Sequence, residues 1–171
     1  AATNFSKLDH FNGLHIRNFS ESEFSARITP YFEKAGLDVD REKLIKIAPI
    51  LKERVTTLDD AVEMAGFFFR EEVIVQKDEL VGKGLSPEQT QKILKDSFII
   101  LSSVEDMEPA TTEPPMRDYV EKSGLSAGQV FGVLRVAVTG QKVSPPLFES
   151  MEIIGRDIVL DRIKMASDLL N

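Results

Sequence analysis

The apolar positions of the chain recur mostly at spacings of three and four, the period of helices with one buried face. In residues 126–139, Val130, Val133, Leu134, Ala137 and Val138 gather on one side, which predicts a helix packed through that side. In residues 41–55, Leu44, Ala48, Leu51 and Val55 form a second stripe, with Lys43, Lys46 and Arg54 away from it. In residues 156–170, Ile158, Leu160, Ile163, Met165 and Leu169 recur at roughly helical spacing and predict a third. Alternation of period two is nearly absent. The one candidate strand, "EEVIVQ" at residues 71–76, is too isolated to make a sheet. The pattern predicts an all-α fold.

Start and stop signals divide the pattern into elements. Ser20 and Glu23 have capping-box spacing ahead of a helix that ends at Gly36. Asp40 is the expected cap of "REKLIKIAPILKERV", which Pro49 should kink. Thr57 with Asp60 is expected to open "LDDAVEMAGFFF", Ser86-Pro87 with Gln89 the next helix, and Ser126 with Gln129 the one after. Ser144-Pro145 is expected to open a further helix, which Gly155 separates from the last. The charged segment 70–89, with Gly82 and Gly84, carries the expected boundary between two helical subdomains, 1–76 and 77–171. The acidic, proline-rich "EDMEPATTEPP", residues 105–115, is expected to be a loop inside the second.

Composition narrows the chemistry. With 171 residues, 42% of them hydrophobic, the chain can form one ordinary domain or two small ones. The absence of cysteine excludes disulfides and thiolate metal sites and agrees with a reducing compartment. No apolar run is long enough to span a bilayer and the first residues lack a signal-peptide pattern, so a cytoplasmic location is expected. A net charge of −7 repels phosphate on average, so any nucleic-acid contact must use a local basic surface.

No catalytic or metal-ligating set emerges. His10 and His15, on an expected helix "KLDHFNGLHIRN", are five residues apart and do not present two imidazoles to one ion. Gly82-Lys83-Gly84 lacks the rest of a phosphate-binding loop and reads as a flexible linker. No nucleophile elbow occurs, and the adjacent carboxylates Asp59-Asp60, Glu71-Glu72 and Glu105-Asp106 point in different directions on a helix.

Arg135 is the residue that the apolar pattern does not absorb. On a helix it falls off the core face, beside Gly128, Gly132 and Thr139. Two readings follow. The glycines let another helix pack closely, with Arg135 paired to one of its carboxylates; or they let a ligand reach bare backbone while the guanidinium fork reads an acceptor pair. Ser144-Pro145-Pro146 follows, a rigid apolar and carbonyl surface with few amide donors around Leu147. It suits contact with a base better than a phosphate cradle. Lys46, Lys52 and Arg54 form a second basic cluster, either a solvated face or an RNA-facing one.

"LKERVTTLDDAVEMAGFFF" and "GLSAGQVFGVLRVAVTGQKVSPPLFESMEIIGRDIVLDRI" resemble the C-terminal anticodon-binding region of bacterial-type glutamyl-tRNA synthetases. "FSKLDHFNGLHIR" resembles the segment where that region leaves the catalytic domain. The resemblance implies an all-helical, two-part cage that grips the anticodon loop of the tRNA for glutamate. It implies that Arg54 reads the third anticodon base and that Arg135, Ser144, Pro145 and Leu147 make the second subdomain's anticodon contacts. Ser126, Val133 and Pro146 depart from the residues common in the family, which are lysine, proline and glycine. The family's H-I-G-H-like and K-M-S-K-S-like motifs are absent. The chain is therefore expected to be a non-catalytic part of a longer glutamate–tRNA ligase and to hold no cofactor. ATP, with Mg, would serve the catalytic domain of the same polypeptide. The expected partners are that domain and the tRNA; no membrane is involved and a monomer is expected. The alternative is a helical protein-interaction module that binds no RNA and docks through segment 105–115.

Overall fold

The computed structural model describes residues 13–171. The part of the expected first helix that carries His10 lies outside them. Every regular element among the described residues is helical, and "EEVIVQ" forms no strand there, only a bend at Glu71 and Glu72 followed by irregular chain. The chain forms two compact units, Ala1–Arg70 and Glu71–Asn171, and their division falls within the charged segment 70–89.

In the first unit, residues 13–18 are helical and precede α1 (Glu21–Lys34), α2 (Arg41–Lys52) and α3 (Asp60–Ala65), which continues into a 3₁₀ turn at Gly66–Phe69. Ser20 and Glu23 form the capping box, and Asp40 accepts from the amides of Glu42 and Lys43. Leu44, Ala48, Leu51 and Val55 are all buried, together with Ile47. Helix α2 runs continuously through Pro49 to Lys52. The expected Thr57 cap is not formed. The Asp60 carboxylate instead accepts from the amides of Thr56 and Thr57 (3.1 and 2.9 Å), closing the preceding turn, and the helix is capped at Asp59, two residues later than expected.

The second unit contains α4 (Lys77–Leu80), α5 (Pro87–Ser103), α6 (Pro109–Ser123), α7 (Ala127–Thr139), α8 (Leu147–Ile154) and α9 (Arg156–Asp168). Capping boxes at Ser86 and Ser126 open α5 and α7. Helix α9 packs against α5, α7 and α8, and α6 against α5, α7 and α8. Arg156 binds carbonyls at the end of α5, donating to Ser102 O in its last turn and to Val104 O of its C-cap residue. These acceptors would otherwise lack helical partners.

Two expectations fail here. Most of segment 105–115 is not a loop: α6 starts at Pro109 and continues through Pro114 and Pro115. The two missing amide donors cost backbone bonds. Burial of Thr112 and Met116, one turn apart, and the Arg117–Glu113 pair at 2.6 Å offset them. The buried face of α9 is Val159, Arg162, Ile163 and Ala166, whereas Met165 and Leu169 are exposed. The expected stripe followed side-chain size, and the packed one follows the i, i+4, i+7 geometry.

Tyr119 pins α6 to α5 by donating to Asp96 Oδ2 at 3.0 Å. Burial, and then the adjacent Asp96 carboxylate, push its phenol well above the ordinary 10.0. A phenol raised in the folded state contributes stability that is intact below its unfolded pKa and drains away at higher pH. Urea unfolding between about pH 9 and pH 11 should show native stability falling more steeply than that of Tyr119→Phe. Equal slopes would contradict the coupling.

Candidate nucleic-acid interface

The side chain of Arg135 leaves α7 half-buried and turns toward the segment that precedes α8. Its Nη1 donates to Ser144 Oγ and, at 2.9 Å, to Pro145 O. Ser144 Oγ donates in turn to Pro145 O at 2.8 Å. On the backbone side, Thr139 Oγ1 donates to Arg135 O (2.7 Å) and accepts from Gln141 N (3.1 Å). One residue thus ties the helix to both ends of the turn 139–146.

Two more contacts fix that turn. Arg162, 3% exposed on α9, donates to Val138 O at 2.9 Å, a carbonyl in the last turn of α7 that lacks an amide partner within the helix. Burial pulls this guanidinium down to about 10. Gly140 ends the helix at φ +74, and a Cβ there would lie 2.8 Å from Ile74 O. Only glycine fits both the left-handed backbone and the close approach.

The turn's composition explains where α8 begins. Its N-cap is Pro146, with no side-chain cap, rather than Ser144. The Ser144 hydroxyl is committed to Arg135 and Pro145, and neither proline has an amide to give. Pro145 is buried and Leu147 is 4% exposed, so both back the turn from inside and offer a ligand little surface.

Beside Arg135 the exposed strip of α7 is bare. A Cβ on Gly132 would meet nothing within 4 Å among the described residues, and on Gly128 only Ser126 Oγ at 3.9 Å. Among the described residues no helix packs onto these glycines. The strip forms one wall of an open cleft of about 1080 Å³. Gly82, Lys83 and Gly84 face it, Leu80, Val133 and Val136 supply apolar lining, and Lys142 and Glu79 also line it. The Gly-Lys-Gly segment is pinned rather than loose: Gly82 N donates to Thr90 Oγ1, and Lys83 O accepts from Gln129 Nε2, both at 3.2 Å. Sequence reading missed these residues as cleft wall, although two glycines flanking a lysine were a signal. It also missed the Arg117 guanidinium 5.6 Å from the ring centroid of Phe131, one turn before Arg135. That contact joins α6 to α7 and is invisible to spacing within one helix.

In the first unit, Arg54 is exposed just past α2 and donates to Ile50 O at 2.9 Å, steadying the helix end. Lys46 is exposed on α2. Lys52 is half-buried with Nζ donating to Phe19 O at 2.9 Å, so part of its ammonium is spent inside the unit. Lys43 likewise donates to Phe68 O at 3.2 Å. Among the described residues, no group of three or more His, Asp or Glu side chains is placed to hold a metal ion. No helix among them is long and apolar enough to cross a membrane.

Residues 23–167 match the family model of the anticodon binding domain, and the chain belongs to that family. It is 33% identical over 171 residues to the glutamate–tRNA ligase of Dehalococcoides mccartyi strain 195, covering 97% of this chain and 35% of that protein. It is 32% identical over 176 residues to that of Borrelia duttonii strain Ly, covering 99% and 35%. The chain thus spans about a third of the length of these relatives. A crystal structure of a glutamate tRNA ligase from Elizabethkingia meningosepticum superposes with a TM-score of 0.82 at 24% identity, covering 95% of this chain and 32% of that one, which shows the same fold.

The glycines of α7 give an internal comparison. Gly132→Ala should raise stability by up to about 1 kcal/mol, because a helical glycine with open space beyond it gains from a methyl group. Gly140→Ala should lose more than about 1 kcal/mol through the positive φ and the backbone clash. Thermal unfolding of the two variants checks both signs, and a stable Gly140→Ala would contradict the close approach.

Proposed function

We propose that this chain is the anticodon-recognition part of a glutamate–tRNA ligase. It reads the anticodon loop of the tRNA for glutamate while another part of the polypeptide activates glutamate with ATP, assisted by Mg. The observation that carries this reading is the Arg135–Ser144–Pro145 cluster beside the uncovered glycine strip. The family match and the glutamate–tRNA ligase relatives support it.

The chemistry follows from the parts. An unstacked loop base presents its Watson–Crick edge, and a guanidinium fork pairs with two acceptors on such an edge. Bare α7 backbone lets a nucleotide come closer than any side chain would allow. The Ser144 carbonyl accepts from an exocyclic amine, and Pro145 and Leu147, both buried, back the wall behind it. Arg54 reads the third anticodon base, Lys46 meets phosphate, and Lys52 adds positive charge close to its bond with Phe19 O. The net charge of −7 makes these local cations decide the approach of RNA.

Fluorescence anisotropy with a labelled anticodon stem-loop at low salt tests the reading. Arg135→Ala should weaken binding by about 1–3 kcal/mol, and binding within error of wild type would overturn the role of Arg135. Arg54→Gln should leave binding to the glutamate-type loop largely intact and erode discrimination against a loop altered at the third base. Unchanged relative affinities would remove Arg54 from base reading. Lys46→Ala should weaken all loops equally and flatten the salt dependence by about one ion; an identical slope would show that Lys46 meets no phosphate.

A further inference from the structure

Among the described residues, the two most exposed large apolar side chains are Ile74 at 83% and Val143 at 71%. Single exposed apolar residues are common on protein surfaces and need no explanation. These two differ because they sit on segments that meet. The stretch 73–76 crosses the end of α7 so closely that Ile74 O lies 2.8 Å, and Val73 Cβ 3.4 Å, from where a Gly140 Cβ would be. Val73 and Val75 on either side of Ile74 are half-buried while Ile74 is exposed, an alternation that turns Ile74 outward.

Val143 lies three residues beyond that crossing and immediately before Ser144, whose hydroxyl accepts from Arg135. Its carbonyl accepts from Gln141 Nε2 at 3.3 Å, within the same turn that Thr139, Gly140 and Arg135 hold. Neither residue rides on a loose loop. Both are presented by backbone that the structure fixes at the edge of the candidate interface.

We propose that Ile74 and Val143 form an apolar contact for the face of an unstacked loop base, beside the base edge that Arg135 reads. The inference rests on the proposed RNA-binding role and adds a second kind of contact to the same site. Unstacked bases expose flat, weakly hydrated faces, and proteins that splay a loop cover them with stacking or apolar side chains. A hydrogen-bonding arginine selects the edge, and the aliphatic pair holds the plane. Such a contact releases no counterions, so it adds affinity without adding to the salt dependence.

The test uses Ile74→Ser, Val143→Ser and the double variant, with Ile99→Ser as control; Ile99 is 66% exposed on α5. All three positions are solvent-facing, and matching thermal unfolding curves of the four variants would establish equal folding. Anisotropy is measured with the anticodon stem-loop and with loops made abasic at one position at a time. The proposal expects the double variant to bind about tenfold more weakly at an unchanged salt slope, with Ile99→Ser binding as wild type. It also expects one abasic loop to bind wild type and double variant alike. Binding by the double variant within about twofold of wild type, or an equal deficit with every abasic loop, would overturn it. If wild type fails to bind the stem-loop at all, the proposed function fails and takes this contact with it. Normal wild-type binding that is sensitive to Arg135→Ala but not to the serine substitutions sinks the apolar contact alone.

Discussion

The candidate interface depends on one constraint: a single guanidinium must span from α7 to the turn before α8. Arg135 is permanently charged and carries a planar fork of donors. Donation to Ser144 Oγ and Pro145 O fixes the direction of that fork at the protein surface. The same bonds fix the proline turn, whose backbone could otherwise take several courses between Gly140 and Leu147. Orientation and scaffold are therefore one interaction seen from its two ends. A base-reading side chain on a flexible stem would lose rotamer entropy when it engaged RNA. Here folding has already restricted it.

The rest of the second unit supports that contact. Arg162 reaches from the buried face of α9 to Val138 O, so a buried charge supplies a donor to the last turn of α7. Arg156 does the same for the end of α5. Gly140 lets the 71–76 segment press against the turn, and Thr139 closes it from inside. Helix ends are where backbone groups lack partners, and the sequence spends two arginines, a threonine and a glycine on them. The glycines at 128 and 132 run the other way. They weaken the helix and serve no packing within the described chain.

Local signals with a fixed geometry were legible in the sequence. The serine caps at 20, 86 and 126 need only a hydroxyl and a partner three residues on, and all three form. The all-helical class and the buried faces of α2 and α7 were equally plain, because apolar residues there recur with no competing demand. Reading failed where a side chain had a distant use. Ser144 resembles a cap but belongs to Arg135, and Thr57 resembles one but only gives its amide to Asp60, the first residue of α3. Pro114 and Pro115 signal a loop, and packing of Thr112 and Met116 overrides them. Arg135 was correctly placed off the core face, but which atoms it would hold depended on a turn whose path no periodicity encodes. Leu147 was nominated for contact, and the packing of α8 buries its side chain.

The central claim is that RNA meets the protein at the strip of α7 and the turn that Arg135 secures. The most direct measurement is an amide chemical-shift titration of the isotopically labelled chain with an anticodon stem-loop. The account predicts that the largest shifts fall on residues 128–135 and 139–147. Saturating RNA that moves only amides elsewhere, or none, would contradict it.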